Sequence, residues 1–260
     1  MSELTLAAVS EGPLLLAAGS FQAALTVVTG DEKGALATFV AVASGARAPR
    51  RGRVLLGGLP LVTTPAARRR VASQLDSEQL PSAPSVEQAV LRVLEARGDA
   101  RVLRGQTEAA RAVLAPCGLE RWSARRPEEL DRDELRSVAL ALALGHEQAE
   151  LLVLYEPLAT SSLDEAWVRA QVTRAVERGA VVVLVTANLP TAEALGGPHC
   201  AIERGVLRGL SAASAEAARV ETASTGLSSL PVQGVRPADQ LVAMPTSFAD
   251  PTRPSRGGDP

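Results

Sequence analysis

Two runs of apolar residues set what this chain can fold into. Leu151-Leu152-Val153-Leu154 and Val181-Val182-Val183-Leu184-Val185 contain no polar side chain. Successive side chains of a strand point to opposite faces, so a strand apolar at every position must be covered on both sides. Between the runs, Asp164 to Glu177 has the spacing of an amphipathic helix, and Gly179 ends it. Strand, helix and strand in that order predict an α/β fold with a parallel sheet between two helical layers.

The rest of the chain fits around that unit. Leu4 to Val28 reads as short strands broken by Gly and Pro, with Ala23 to Val28 a buried strand ending at Gly30. A helix is expected from Ala35 to Ala43, a turn over residues 45–52, and a short strand from Arg53 to Leu56. Residues 65–145 are helical and charged in pattern. Ser85 with Gln88 forms a capping-box sequence for a helix from Val86 to near Gly98, and Leu130 to Leu144 forms another helix. After Arg208, Ser, Ala, Pro, Thr and Gly dominate, so residues 209–260 are expected to be a linker or flexible tail. Within it, Leu230 to Val235 and Leu241 to Met244 are the stretches suited to docking.

Composition excludes several roles. Hydrophobic residues make up 46% and aromatics 2%, so the core must be built from Leu, Val and Ala. With 27 basic and 29 acidic residues, the net charge of -2 gives no overall pull toward nucleic acid or an acidic membrane. Cys117, Cys200, His146 and His199 have no zinc-site spacing, and no metal or cofactor is expected. The N-terminal apolar stretch is interrupted by Gly12, Pro13, Gly19, Ser20 and Gln22, so neither a signal peptide nor a spanning helix is read there. The expected location is cytoplasmic, with any membrane association made through a partner and without direct insertion.

A strand, a glycine turn and a helix is the layout of a phosphate-binding loop, here Gly30-Asp31-Glu32-Lys33-Gly34-Ala35-Leu36-Ala37-Thr38. Further landmarks follow in order: Gly45, Pro49, Gly52, Val54 and Gly58; Leu80-Pro81 and Ser85-Val86; Val138 to Leu144; Leu151 to Pro157; Ser162-Leu163-Asp164; Val181 to Thr186; and Ile202, Gly205 and Val206. Together they resemble the ATP-binding domain of ABC transporters over residues 1–208. The resemblance implies a RecA-like P-loop core with an antiparallel β subdomain and a helical subdomain at about 76–140, and leaves the tail over 209–260 outside it.

The departures from the family pattern fall on polar positions. A working P-loop reads G-x-x-x-x-G-K-[ST]. Here the glycine, lysine and hydroxyl positions carry Ala35, Leu36 and Ala37, leaving Gly30, Thr38 and a displaced Lys33. Asp31 and Glu32 add negative charge where phosphates would sit. The Q-loop glutamine position carries Asp76. The L-S-G-G-Q signature, which in the family meets a γ-phosphate across a dimer, reads Leu130-Asp131-Arg132-Asp133-Glu134. Tyr155 replaces the Walker B aspartate and Ala187 the H-loop histidine, while Glu156 stands where the family has its general base. No aromatic residue sits where the family stacks adenine, and Phe21 lies too close to the P-loop strand for that role.

The expected function is therefore a catalytically inactive nucleotide-binding subunit, structural or regulatory, in an ABC transporter-like membrane complex. It would pair with an active ATPase subunit or with itself, through a seam that includes Ser162, Leu163 and Asp164, and would join transmembrane permease subunits. No nucleic-acid partner is expected. Three other readings stay open: a subunit that binds ATP without hydrolysing it, a free-standing scaffold, and an active enzyme that uses Lys33.

Overall fold

The computed structural model describes residues 2–22, 24–74, 80–99, 101–102, 105–159 and 162–209. These belong to the compact unit Met1–Thr225, and the segment Gly226–Pro260 lies outside the described residues. The expected tail from 210 onward, its two apolar stretches, and Asp76 lie outside them as well.

The elements in chain order are β1 (Glu3–Glu11), β2 (Leu14–Gln22), β3 (Leu25–Gly30), α1 (Lys33–Ala43), β4 (Arg51–Leu56), β5 (Leu59–Pro60), α2 (Pro65–Arg69) and β6 (Val71–Ser73). Then come α3 (Val86–Arg97), α4 (Gln106–Leu114), three short 3₁₀ turns between Ala115 and Glu129, and α5 (Arg132–Leu144). The chain continues with β7 (Leu151–Tyr155), α6 (Glu165–Glu177), β8 (Val181–Thr186), α7 (Leu189–Leu195), β9 (His199–Glu203) and β10 (Val206–Arg208). The strands form one mixed sheet in the order β5-β4-β1-β2-β10-β9-β3-β8-β7-β6. Strands β9, β3, β8, β7 and β6 are parallel, whereas β2, β1, β4 and β5 pair antiparallel.

The apolar runs divide between two cores, as their pattern requires. Leu152 and Leu154 of β7, with Val182 and Leu184 of β8, face a core shared with α3, α4, α5 and α6. Leu151 and Val153, with Val181, Val183 and Val185, face a second core shared with α1 and the antiparallel strands. Each fully buried Val or Leu side chain contributes about 1.5–3 kcal/mol by leaving water. Phe21 and Phe39 meet in the second core with ring centroids 6.2 Å apart.

The structure departs from the sequence expectations at several ends. The N-terminal stretch forms two nine-residue strands rather than short pieces, bent by register shifts in β1 and by a positive φ of 49° at Ala8. Strand β4 starts at Arg51 because Gly52, at φ 81°, lies against the carbonyls of Ala7 and Ala8. The Ser85 cap forms by accepting a hydrogen bond from the Gln88 amide.

Candidate functional site

Three turns meet the C-terminal ends of the parallel strands. The first joins β3 to α1 and is two residues long, Asp31 and Glu32, both exposed. The sequence suggested a helix from Ala35, but α1 begins at Lys33. The Glu32 carbonyl accepts the amides of Ala35 (3.0 Å) and Leu36 (3.1 Å), so the segment from Lys33 to Ala35 is wound into the first helical turn. No residue from Gly30 to Thr38 has a positive φ. The alternating-hand backbone that makes an anion-binding nest is therefore absent from this turn.

Side chains follow from that winding. Leu36 is wholly buried in the second core, Thr38 is buried, and Ala37 and Lys33 face solvent. A Cβ added at Gly30 would stand 2.9 Å from the Ile202 carbonyl and 3.2 Å from Leu36 Cδ2, so the glycine permits a close approach of β3 to β9. Beside the turn lies an open cleft of about 680 Å³, lined by Thr29, Gly30, Asp31, Ala187, Leu189 and the β9–β10 hairpin. Within that hairpin Arg208 pairs with Glu203 at 3.4 Å.

The second turn starts α5. Asp131 caps the helix by accepting the Glu134 amide at 2.8 Å, and Glu134 returns to accept the Asp131 amide at 3.0 Å. This reciprocal capping box satisfies helix-end donors with the chain's own carboxylates. Arg125 donates to Glu134 at 2.9 Å, and Ser162 Oγ donates to Asp133 at 3.3 Å. Leu130 is buried beneath the turn and Arg132 is exposed. Leu163 is buried, while Asp164 caps α6 by accepting the Ala166 amide at 3.0 Å.

The third turn leaves β7. Glu156 has φ 48°, and its amide donates to the Val185 carbonyl at 2.8 Å. Its carboxylate accepts the Thr186 hydroxyl at 2.7 Å and the Ala187 amide at 2.6 Å. Arg136 of α5 donates to the carbonyls of Tyr155 and Glu156, both at 2.9 Å. Gln74, buried just after β6, faces the same groups: with its amide turned so that the nitrogen meets the Tyr155 carbonyl, it donates there at 2.9 Å and accepts from Arg136 Nε at 3.0 Å. Both Gln74 and Arg136 were missed in sequence. The glutamine that directly follows an apolar strand is the available signal for Gln74, while Asp76, which stands at the Q-loop position by resemblance, lies outside the described residues.

The structure thus brings Glu156, Gln74 and Arg136 into one network, and Asp133 with Ser162 into another. Lys33 remains at the exposed start of α1. Among the described residues, no three His, Cys, Asp or Glu side chains gather as a metal ligand set. Burial pushes the thiols of Cys117 and Cys200 up to about 11.

A parallel sheet flanked by an antiparallel wing and a helical arm, with turns gathered at its strand ends, is the architecture of a nucleotide-binding cassette. It is shared with solved structures. An ATP-binding subunit of an ABC transporter superposes with TM-score 0.66 at 22% identity, covering 85% of this chain and 99% of that one. MJ0796, a bacterial ABC transporter cassette solved as a dimer, gives TM-score 0.66 at 16% identity, covering 80% and 99%. In sequence, the thiamine import ATP-binding protein ThiQ of Mesorhizobium japonicum is 29% identical over 199 residues, 76% of this chain and 78% of that protein. The aliphatic sulfonates import ATP-binding protein SsuB of Escherichia coli K12 is 32% identical over 198 residues, 74% and 70%. No family model matches the chain. The chain belongs to the family of ABC transporter ATP-binding proteins.

Proposed function

We propose that this chain is a non-catalytic ATP-binding-type subunit that serves an ABC transporter complex through its shape. The observation that carries the reading is the β3–α1 turn. Backbone amides cradle phosphates in a working loop and a lysine neutralises their charge. Here the turn is two residues long, Leu36 is packed in the core, and Asp31 and Glu32 face outward. Mg-ATP does not fit that set of groups. Glu156 is held by Thr186 and Ala187, so the carboxylate at the general-base position acts as a brace between β7 and β8.

Within this reading the chain pairs with a competent ATPase subunit, or with a second copy, and grips permease subunits from the cytoplasmic face of the membrane. Ser162, Leu163 and Asp164 would border the seam. Asp131, Asp133 and Glu134 would lie opposite the partner's phosphate loop and oppose a γ-phosphate there, slowing the composite site. Purified chain should release no phosphate from ATP, and turnover abolished by Lys33→Ala would overturn the proposal. In the reconstituted complex, Asp131→Ser with Arg132→Gly and Asp133→Gly should raise the ATPase rate. No change with the complex intact would mean that α5 does not face a nucleotide.

A further inference from the structure

The chain's near-neutral charge conceals a strong segregation. The forty-two residues from Lys33 to Gln74 hold eight basic residues and no acidic one, leaving nineteen basic against twenty-nine acidic elsewhere. Arg47, Arg50, Arg51 and Arg53 fall within seven positions, and Arg68 and Arg69 lie on α2. All six are exposed, and none makes an ion pair among the described residues. Arg70 is different, being bound to Glu150.

The fold gathers Arg47, Arg50, Arg51 and Arg53 at one sheet edge, whereas Arg68 and Arg69 lie on α2 beside β6, at the other end of the strand order. Strand β4 is covered on its outer side by β5 alone, and that pairing reaches only Leu55 and Leu56. The Leu61 amide donates to the Val54 carbonyl at 2.8 Å, and a Cβ added at Gly45 would touch Leu61. The loop with Arg47 and Arg50, the strand with Arg51 and Arg53, and the segment entering α2 therefore converge. Acidic groups at the margin are Glu11, whose carboxylate accepts the Arg50 amide at 3.0 Å, and Glu3, whose carbonyl accepts the Gly57 amide. The β4–β5 turn, Gly57 and Gly58 at φ 56° and 77°, is open to solvent, and Leu59 beside it is 41% exposed.

We propose that this edge docks on the anionic headgroup layer of a membrane. Exposed cations along an edge meet a continuous anionic surface, and an apolar tip among them suits its outer layer. Nucleic acid fits less well, because the aromatic residue of this stretch, Phe39, is buried and offers no stacking face. Among the described residues no helix is long and apolar enough to cross a membrane. The proposal is independent of whether the chain handles nucleotide.

The test is co-sedimentation of the full chain with vesicles of phosphatidylglycerol and phosphatidylcholine, against phosphatidylcholine alone. Binding should require the anionic lipid and weaken with salt. The variant Arg47→Gln/Arg50→Gln/Arg51→Gln/Arg53→Gln should reduce partition at least about tenfold. Arg121→Gln/Arg126→Gln/Arg174→Gln/Arg178→Gln, with the same change in net charge, should leave it near the parent's level. Arg68→Gln/Arg69→Gln on α2 should also leave it near the parent's level, and an unfolding midpoint matching the parent's in every variant excludes a folding defect. No preference for anionic vesicles, equal loss in the control variant, or binding to duplex DNA in place of vesicles would each overturn the proposal.

Discussion

The N-termini of α1 and α5 solve one problem in different ways. Every helix begins with backbone amides that lack an intrahelical partner. At α5, Asp131 and Glu134 close a capping box and Arg125 braces it. At α1 the cap residue Glu32 makes no side-chain hydrogen bond, and the helix is secured by Leu36 in the core. One end is held by polar groups of its own and the other by burial. Neither arrangement calls on a bound phosphate, which is the physical content of the proposed non-catalytic role.

The largest expected effect breaks the α1 side. Leu36→Lys places a charge in a fully buried site and should destabilise the fold by about 3–5 kcal/mol. It should bring no nucleotide affinity, because Lys33 to Ala35 just before it are wound into the first turn of α1. Chemical denaturation with a parallel nucleotide titration checks both; a stable variant that binds ATP would show that the turn is free to open.

Next in size is the brace between α5 and the strand ends. Arg136→Met removes the guanidinium from the carbonyls of Tyr155 and Glu156, leaving Gln74 on the first, and Glu156→Ala frees the buried Thr186 hydroxyl and the Ala187 amide. Each should cost about 1–3 kcal/mol in denaturant melts. A neutral result for both would mean that the network does not hold the turns together.

The two caps can then be compared directly. Asp131→Ala should cost about 1 kcal/mol, whereas Glu32→Ala should stay within about 0.5 kcal/mol of the parent. Equal effects would erase the distinction between the two ends.

The smallest effect concerns the other end of α5. There Arg97 donates to the Leu142 carbonyl and Arg101 to the Gly145 carbonyl, while His146 Nε2 meets the Arg69 carbonyl and Nδ1 has no partner. Burial holds His146 below its ordinary value of 6.5. The unfolded chain therefore takes up that proton more readily than the folded one, and ∂ΔG/∂pH is positive. Stability from this group is present above pH 6.5 and declines as pH falls below it toward the lowered folded value. His146→Gln should flatten that slope in unfolding measured across pH.

What was legible in the sequence followed from local pattern. Strands β7 and β8 could be read because Leu151 to Leu154 and Val181 to Val185 are apolar at every position, and α3 could be read from Ser85 at its start. The box at Asp131 and Glu134 was also visible as spacing, but resemblance drew attention to it as an altered signature rather than as a cap. The winding of Lys33 to Ala35 into α1 was less visible, since the loop and helix readings share one sequence and packing of Leu36 decides between them. Arg136 and Gln74 could not be paired from sequence, because their partner Tyr155 is brought near by the sheet.

The central claim is tested most directly by isothermal calorimetry of the purified parent chain with Mg-ATP up to millimolar concentration. The account predicts no saturable heat and no rise in the unfolding midpoint with nucleotide. A saturable isotherm with a micromolar Kd, matched by a midpoint that climbs with ATP, would contradict it and favour a subunit that binds nucleotide without turning it over.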